Sequence, residues 1–433
     1  MTRLPLPRRG GAVVACLLWI AVLVPSAVAQ PTGSPAADTV RTLRLSALLR
    51  DLPDRNPTLA AERFRTDALA TRARQVSAWP DPSVGLIVQP FPIETARGAQ
   101  RTVWRVEQRL PTPGTRSLRA EVATHDTAIA AAETETLAQD LALQVRLAYA
   151  DLYHAQAHIR VIDAFQQRLR DFEDVVTTRY EVGKGNQPSI LKAQIERRRL
   201  DLQRDDLRAA EATARTTLAD LLDRPPASLR GTAVLDSLAP LDTAGLVRRA
   251  LQQRPELTAR EEAQRRADRQ IALAERAFWP DVSVSATYFD IANRDAPPTA
   301  DGRDALGIGI GLSVPLSRDR LRAGVEEAEA QRNAADARLR AARSTIRTQI
   351  TDLTERLARI QTRLRLLNET LLPQAHTALD ATRSAYSAGR SDFLDLLDAE
   401  RTLFQLRRDR IALRTARHQT HARLLRAVGS IGL

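Results

Sequence analysis

Apolar residues recur along this chain with two different periods. Leu339, Ile346, Ile350, Leu353, Leu357, Ile360, Leu364, Leu367 and Leu371 follow one another at steps of 7, 4, 3, 4, 3, 4, 3 and 4 residues. That is a heptad seam, the pattern of a helix that supercoils against a neighbour. Leu141, Val145, Ala148, Leu152, Ala155, Ile159 and Ile162 repeat it in the first half, with a one-step phase slip to Phe165. Elsewhere the period is two. Leu306, Ile308, Ile310, Leu312 and Val314 alternate with Gly307, Gly309, Gly311 and Ser313. Such alternation predicts a strand with one apolar and one small face, and its length suits a tilted membrane strand.

The two periods occur twice each, because the chain is internally duplicated. Asn56-Pro57-Thr58-Leu59 matches Arg254-Pro255-Glu256-Leu257 at an offset of 198 residues, and Trp79-Pro80-Asp81 matches Trp279-Pro280-Asp281 at 200. Leu110-Pro111 matches Val314-Pro315 at 204, and Tyr180-x-x-Gly183 matches Tyr386-x-x-Gly389 at 206. The slow drift is what small loop insertions produce. Each repeat therefore reads as helix, two strands, very long helix, glycine break, helix. In the first repeat a helix runs from about Arg55 to Ala78, ending where Pro80 disfavours helix in the residue before it. The long helix runs from about Thr115 to Tyr180, and the last helix from about Pro188 to Leu222. In the second repeat a helix runs to Phe278, the long one from about Arg318 to Tyr386, and the last to about Val428. Residues 114–187 contain no proline. At 1.5 Å per residue each long helix reaches roughly 100 Å, and the two shorter helices of a repeat, stacked end to end, nearly match it. Pro373 is expected to bend the second long helix, where the first has Gln167.

The strands before the glycine-rich one agree with it. Val84, Leu86 and Val88 alternate with Ser83 and Gly85, and Val284, Ala286 and Tyr288 alternate with Ser283 and Ser285. Thr102, Trp104, Val106, Gln108 and Leu110 form the corresponding face of the first repeat's second strand, opposite Val103, Arg105, Glu107 and Arg109. Four strands cannot close a membrane barrel, since such barrels start at about eight. If these strands span a membrane, the protomer must oligomerise.

The first 29 residues follow a different plan. Arg3, Arg8 and Arg9 precede an apolar run from Ala12 to Val24, then Pro25 and the small-x-small site Ala27-Val28-Ala29. This is the layout of a secretory signal peptide. Val13-Val14-Ala15-Cys16 resembles a lipobox, but Cys16 sits too early in the apolar run, which argues against lipid attachment. Cleavage after Ala29 removes the only cysteine and three arginines, and takes the net charge from +12 to +9. No disulfide or cysteine metal site is then expected. The basic balance does not point to nucleic acid, since an exported chain with 4% aromatics has little to stack on bases. No later segment offers about 18 consecutive apolar residues, so a membrane crossing must use strands closed into a barrel. The boundaries are signal peptide 1–29, N-terminal linker 30–40, first repeat 41–224, inter-repeat linker 225–242, second repeat 243–429 and tail 430–433.

No catalytic constellation, phosphate-binding glycine loop or zinc signature is present, and no enzyme activity or cofactor is expected. Asp151, His154 and His158 share a helical face, as do His418 and His421, but such spacings recur in any long helix, and these read as surface histidines. Met1 is the only methionine, so no methionine path for a soft metal exists.

The duplicated plan, with its Asn-Pro-x-Leu start, Trp-Pro-Asp strand entry and two Tyr-x-x-Gly helix breaks, resembles the TolC-type outer membrane factors over nearly all of the mature chain. The resemblance implies a mainly α fold with a small β part. A long coiled-coil helical barrel would cross the periplasm, and each protomer of a homotrimer would give four strands to a barrel in the outer-membrane lipid. It implies a passive exit duct whose tips meet a periplasmic adaptor and an inner-membrane pump. Gly183, Lys184, Gly185, Gly389, Arg390 and Ser391 match the adaptor-contact tips. Asp395 and Asp398, one turn apart, match aspartates that form acidic rings at the closed periplasmic mouth, and Tyr386 matches a tyrosine of the closing network. The first repeat departs from this, with Ser189 and Lys192 at the equivalent positions. Two other readings are a periplasmic adaptor, which has one helical hairpin rather than two, and a structural coiled-coil envelope protein, which needs no amphipathic strands. The cargo, whether metal, drug, other small molecule or protein, is not legible.

Overall fold

A computed structural model describes residues 42–182, 187–238, 245–292 and 302–430. The signal peptide and the tip residues Gly183, Lys184 and Gly185 lie outside the described residues. The chain runs β1 (Thr42–Leu43), α1 (Leu45–Arg55), α2 (Pro57–Ser77), β2 (Ser83–Thr95), β3 (Gly98–Leu110), α3 (Thr115–Glu181) and α4 (Gln187–Leu221). A 3-10 turn at Pro226–Leu229 and β4 (Thr232–Ala233) lead to α5 (Leu246–Gln253), α6 (Pro255–Arg276), β5 (Asp281–Ala292) and β6 (Ala305–Ser313). Then come α7 (Arg318–Leu366), a π-helical turn at Leu367–Leu371, α8 (Leu372–Ser387) and α9 (Phe393–Val428).

The first long helix is one uninterrupted element of 67 residues, about 100 Å of rise. Its seam is buried: Val145, Leu152, Ile162, Phe165 and Leu169 are closed to solvent, the last two beyond the phase slip. Each such side chain contributes roughly 1.5–3 kcal/mol of apolar burial. The second long helix is not continuous as the heptads imply. Leu364 and Leu367 are buried, but Leu371 is exposed and Leu372 takes its place on the seam, followed by Ala375, Leu379 and Tyr386. The π turn inserts one residue, and the insertion shifts the phase. It also accommodates Pro373, which has no N–H to give the preceding turn and whose ring would crowd it in a regular α-helix.

The helices expected from Arg55 and up to Phe278 are each preceded by a separate short one, α1 and α5, that the periodicity did not reveal. Asn56 makes the break in the first repeat. Its Oδ1 accepts from the Leu59 N–H at 2.9 Å, its Nδ2 donates to the Leu221 carbonyl at 2.9 Å, and Pro57 opens the next helix. This is an N-cap with proline in the first turn. The expected inter-repeat linker is likewise no plain linker where it is described. β4 pairs in parallel with β1, Leu229 and Ala233 are buried, and the Tyr149 hydroxyl donates to the Leu43 carbonyl (2.6 Å) while accepting from the Val234 N–H (3.0 Å). Its apolar residues have a core to join, so the segment packs.

The four long strands form one antiparallel sheet in the order β2-β3-β5-β6. The register lines up the apolar positions. Leu86, Trp104, Tyr288 and Leu306 make one cross-strand row, and Val84, Val106, Ala286 and Ile308 the next. The other face carries Ser83, Glu107, Ser285 and Gly309 in a row. A Cβ at 309 would lie 2.7 Å from the Ser285 hydroxyl, which would have to rotate away. β6 ends at Ser313, so Val314, expected to finish the strand, lies just past it. β2 and β6 leave both lateral edges of the sheet unpaired. Among the described residues no helix is long and apolar enough to cross a membrane.

Candidate functional site

The glycine break of the second repeat is a tight reversal between α8 and α9. Gly389 adopts φ +72°, its N–H bonds to the Tyr386 carbonyl (3.1 Å), and the Arg390 N–H bonds to the Ala385 carbonyl (2.9 Å). Nothing lies within 4 Å of a Cβ placed at Gly389, so the residue is needed for its backbone conformation and not for space. Arg390 and Ser391 follow, with Ser391 donating to Asp395 Oδ2 at 2.8 Å.

Asp395 has a local task that its spacing did not reveal. Asp392 and Asp395 form a capping box at the start of α9: Asp392 Oδ1 accepts from the Phe393 N–H (2.6 Å), and Asp395 Oδ2 accepts from the Asp392 N–H (3.3 Å). This satisfies helix donors that would otherwise be orphaned and places negative charge at the helix N-terminus. Asp398, one turn on, is exposed with no such partner. Both aspartates line a cleft of about 670 Å³ that Lys192, Thr382 and Arg401 share. Lys192 thus faces the two carboxylates within one protomer, whereas Ser189 is buried and does not line the cleft.

Tyr386 is buried, and its surroundings include residues that spacing alone did not single out. The Arg179 guanidinium lies over its ring, and Phe393 meets the ring edge-on at 6.4 Å between centroids. Phe172 packs edge-on against Phe393 at 6.5 Å. Three helices, α3, α8 and α9, are joined here through one aromatic contact set. Two turns up α9, Glu400 is 1% exposed, with its carboxylate 3.4 Å from Arg168 and 3.9 Å from Arg383. A fully buried acid in an arginine cage leaves no trace in apolar periodicity, which is why it escaped the sequence.

Of the histidines read as surface residues, His158 is buried, while His154, His418 and His421 are half-buried. His158 is buried between α3 and α9, with Nε2 3.1 Å from the Arg408 carbonyl and its ring 4.1 Å from that of His154. Burial, then the charge of His154, pushes its pKa down to about 4. His418 is also held at about 4, by burial and then by Arg417. Asp151 accepts from Gln419 at 2.7 Å. Among the described residues no group of three or more His, Cys, Asp or Glu side chains is arranged to hold a metal ion.

Paired helices of this height, a glycine-bounded tip and a sheet with one exposed apolar face define an outer-membrane channel protein. Residues 246–430 match the family model described as "Outer membrane efflux protein". It is 24% identical over 398 residues to the cobalt-zinc-cadmium resistance protein CzcC of Cupriavidus metallidurans, covering 90% of this chain and 92% of that one. It is 27% identical over 418 residues to the pyoverdine export outer membrane protein OpmQ of Pseudomonas aeruginosa, covering 92% and 82%. Its fold is that of the outer membrane protein VceC from Vibrio cholerae, with a TM-score of 0.74 at 22% identity over 89% of this chain and 96% of that one.

Proposed function

We propose that the protein is the outer-membrane exit duct of a tripartite efflux or secretion system. It is a passive channel: an inner-membrane pump supplies the energy, and a periplasmic adaptor favours the open state of the tips. The observation that carries this reading is the sheet. Its apolar face is exposed, as at Ile310 (79%), and both edges are open. Open edges are not tolerated in lipid, so copies of the chain must close them. A homotrimer would bring twelve strands, enough for a closed barrel. The two helical hairpins of each protomer would then form the periplasmic wall. In this reading Asp395, Asp398 and Tyr386 belong to the gate at the periplasmic mouth. Gly183, Lys184, Gly185, Gly389, Arg390 and Ser391 are the tips that meet the adaptor. The two hairpins and the membrane-suited sheet argue against an adaptor or a plain coiled coil. The cargo is chosen by the pump.

The test combines fractionation with conductance. Detergent extraction of outer membranes should yield a heat-modifiable trimer that conducts in planar bilayers. A monomer in the periplasmic or inner-membrane fraction would overturn the proposal. The tips can be probed directly, because Lys184 and Lys192 are the chain's only two lysines. An amine-reactive crosslinker should join the adaptor to this region in cells.

A further inference from the structure

Between the end of α7 and the middle of α9 lies a cleft of about 650 Å³ lined by Arg365, Asn368, Glu369, Arg410, Arg414 and Arg417. Asn368 and Glu369 come from the π turn. Four guanidinium groups thus face one carboxylate. Among the described residues none of the four arginines forms an ion pair, and the one side-chain hydrogen bond among them runs from Arg365 to Thr362 at 3.5 Å. The Nε of Arg417 is buried without a partner.

The other repeat shows that this excess is not mere arginine richness. At an offset of 206 residues, Arg407, Arg410, Ile411, Arg414 and Arg417 correspond to Asp201, Arg204, Asp205, Arg208 and Glu211. In the first repeat every charge is matched. Arg204 bridges Asp201 (3.1 Å) and reaches Asp163 (3.7 Å), Arg208 bridges Asp205 (3.3 Å), and Glu211 bridges Arg215 (2.5 Å). The second repeat keeps two of the arginines, replaces two of the acids with arginine and the third with isoleucine. The same helix surface is neutralised in one repeat and left cationic in the other.

We propose that this cleft binds a multivalent oxyanion, a molecule carrying two or more carboxylate or phosphate groups. Guanidinium forks match the planar geometry of both groups and hold them in bidentate pairs. Residues 410, 414 and 417 form one stripe along two helical turns, about 10 Å, so successive anionic groups of one molecule can each meet a fork. The Asn368 side-chain amide adds a neutral donor from the facing wall. The same chemistry serves an anion in transit through the duct and an anion held from the periplasm.

The experiment uses the detergent-extracted full-length protein and pyrophosphate and citrate as probes, titrated calorimetrically at low ionic strength. The expected result is saturable binding that weakens as salt is added. The double variant Arg414→Gln/Arg417→Gln should lose at least about tenfold in affinity, a margin of about 1.4 kcal/mol. Arg208→Gln, at the matching site of the first repeat, should bind as wild type does, and thermal melts of both variants should match wild type. Absence of binding by the wild-type protein would mean that the arginines are neutralised within the assembly, and would overturn the proposal. Equal binding by the double variant would overturn it too. Bilayer recordings separate the sources. Block of conductance by pyrophosphate in wild type but not in the double variant places the anion in the conduction path. Binding without block places the site outside the path. Either outcome supports a built anion site, and neither depends on the gate assignment.

Discussion

The guanidinium carbon of Arg179 lies 4.3 Å from the centre of the Tyr386 ring, and Arg179 also donates to the Tyr386 carbonyl at 3.4 Å. One residue ends the long helix of the first repeat, and the other ends the helix before the second tip. The contact therefore ties the two repeats together at the level where the duct is proposed to close. Cation–π contacts are worth about 0.5–2 kcal/mol depending on desolvation, and this ring is buried. Arg179→Gln should release the tie and raise the open probability of the channel in planar bilayers. Tyr386→Leu, which keeps apolar bulk but removes the ring face, should do the same. Unchanged gating in both variants would remove these residues from the closing network.

The two aspartates are expected to separate by stability and to agree in selectivity. Asp395→Ala removes half of a capping box and should cost roughly 0.5–2 kcal/mol of stability. Asp398→Ala should cost little. Each should lower the preference for cations, measured as a shift in reversal potential, because both line the cleft that Lys192 shares. Lys192→Ala should raise that preference. If the alanine variants keep wild-type reversal potentials, the aspartates act only on the helix start.

Much of this arrangement was legible because its determinants are periodic. The heptads mark the long helices, the alternation at Leu306 to Leu312 marks a strand, and Trp-Pro-Asp marks the entry to the strands in each repeat. What was not legible depends on local irregularities and on packing between helices. The phase shift from Leu371 to Leu372 needs the π turn, and heptad counting cannot supply an inserted residue. The short helices α1 and α5 are hidden because Asn56 and Arg254 interrupt a pattern too brief to read alone. Asp395 and Asp398 were visible as a one-turn pair, but the capping box depends on Asp392. Arg179, Glu400 and His158 owe their character to three-helix packing, which one helix's pattern does not contain.

Glu400 should be among the most costly residues to truncate. Its carboxylate is buried between Arg168 and Arg383, and the matching position of the first repeat is Gln194, which donates to Glu173 at 3.0 Å. Removing the acid leaves Arg168 and Arg383 without a counter-ion, and because both are partly exposed and can hydrate, the cost stays below the roughly 3–5 kcal/mol of a fully buried pair. Glu400→Ala should lower the thermal midpoint of the extracted protein strongly. Glu400→Gln should fall between the two, and a wild-type midpoint for Glu400→Ala would show the cage to be hydrated.

The face assignment of the sheet can be tested at one position. Ile310 lies on the exposed apolar face, and Gly309 beside it faces Ser285 on the other. Arginine at 310 should cost about 2–4 kcal/mol if the position is near the bilayer midplane. A spin label at 309 should report water and one at 310 lipid. The reverse pattern would invert the sheet.

Burial, then the charge of His154, depresses His158 from its ordinary 6.5 to about 4. Between those values the unfolded chain binds a proton that the folded one does not. Stability is therefore full above pH 6.5 and falls as the pH drops toward 4, by at most roughly 3 kcal/mol from this one group. Glu256 acts in a lower window. Burial alone would raise its pKa, but hydrogen bonds from Arg254 and Arg426, and their charges, outweigh that and hold it at about 2 against an ordinary 4.5. A depressed carboxyl stabilises the fold above 4.5 and loses that contribution as the pH falls through 2. The thermal midpoint of the extracted protein should therefore decline in two steps on acidification. His158→Gln should shrink the first step to the part that His418 contributes in the same window and leave the second, and Glu256→Gln should reduce only the second. A midpoint that stays level from pH 7 to 4 in the wild-type protein would mean that the α3–α9 interface admits water to His158.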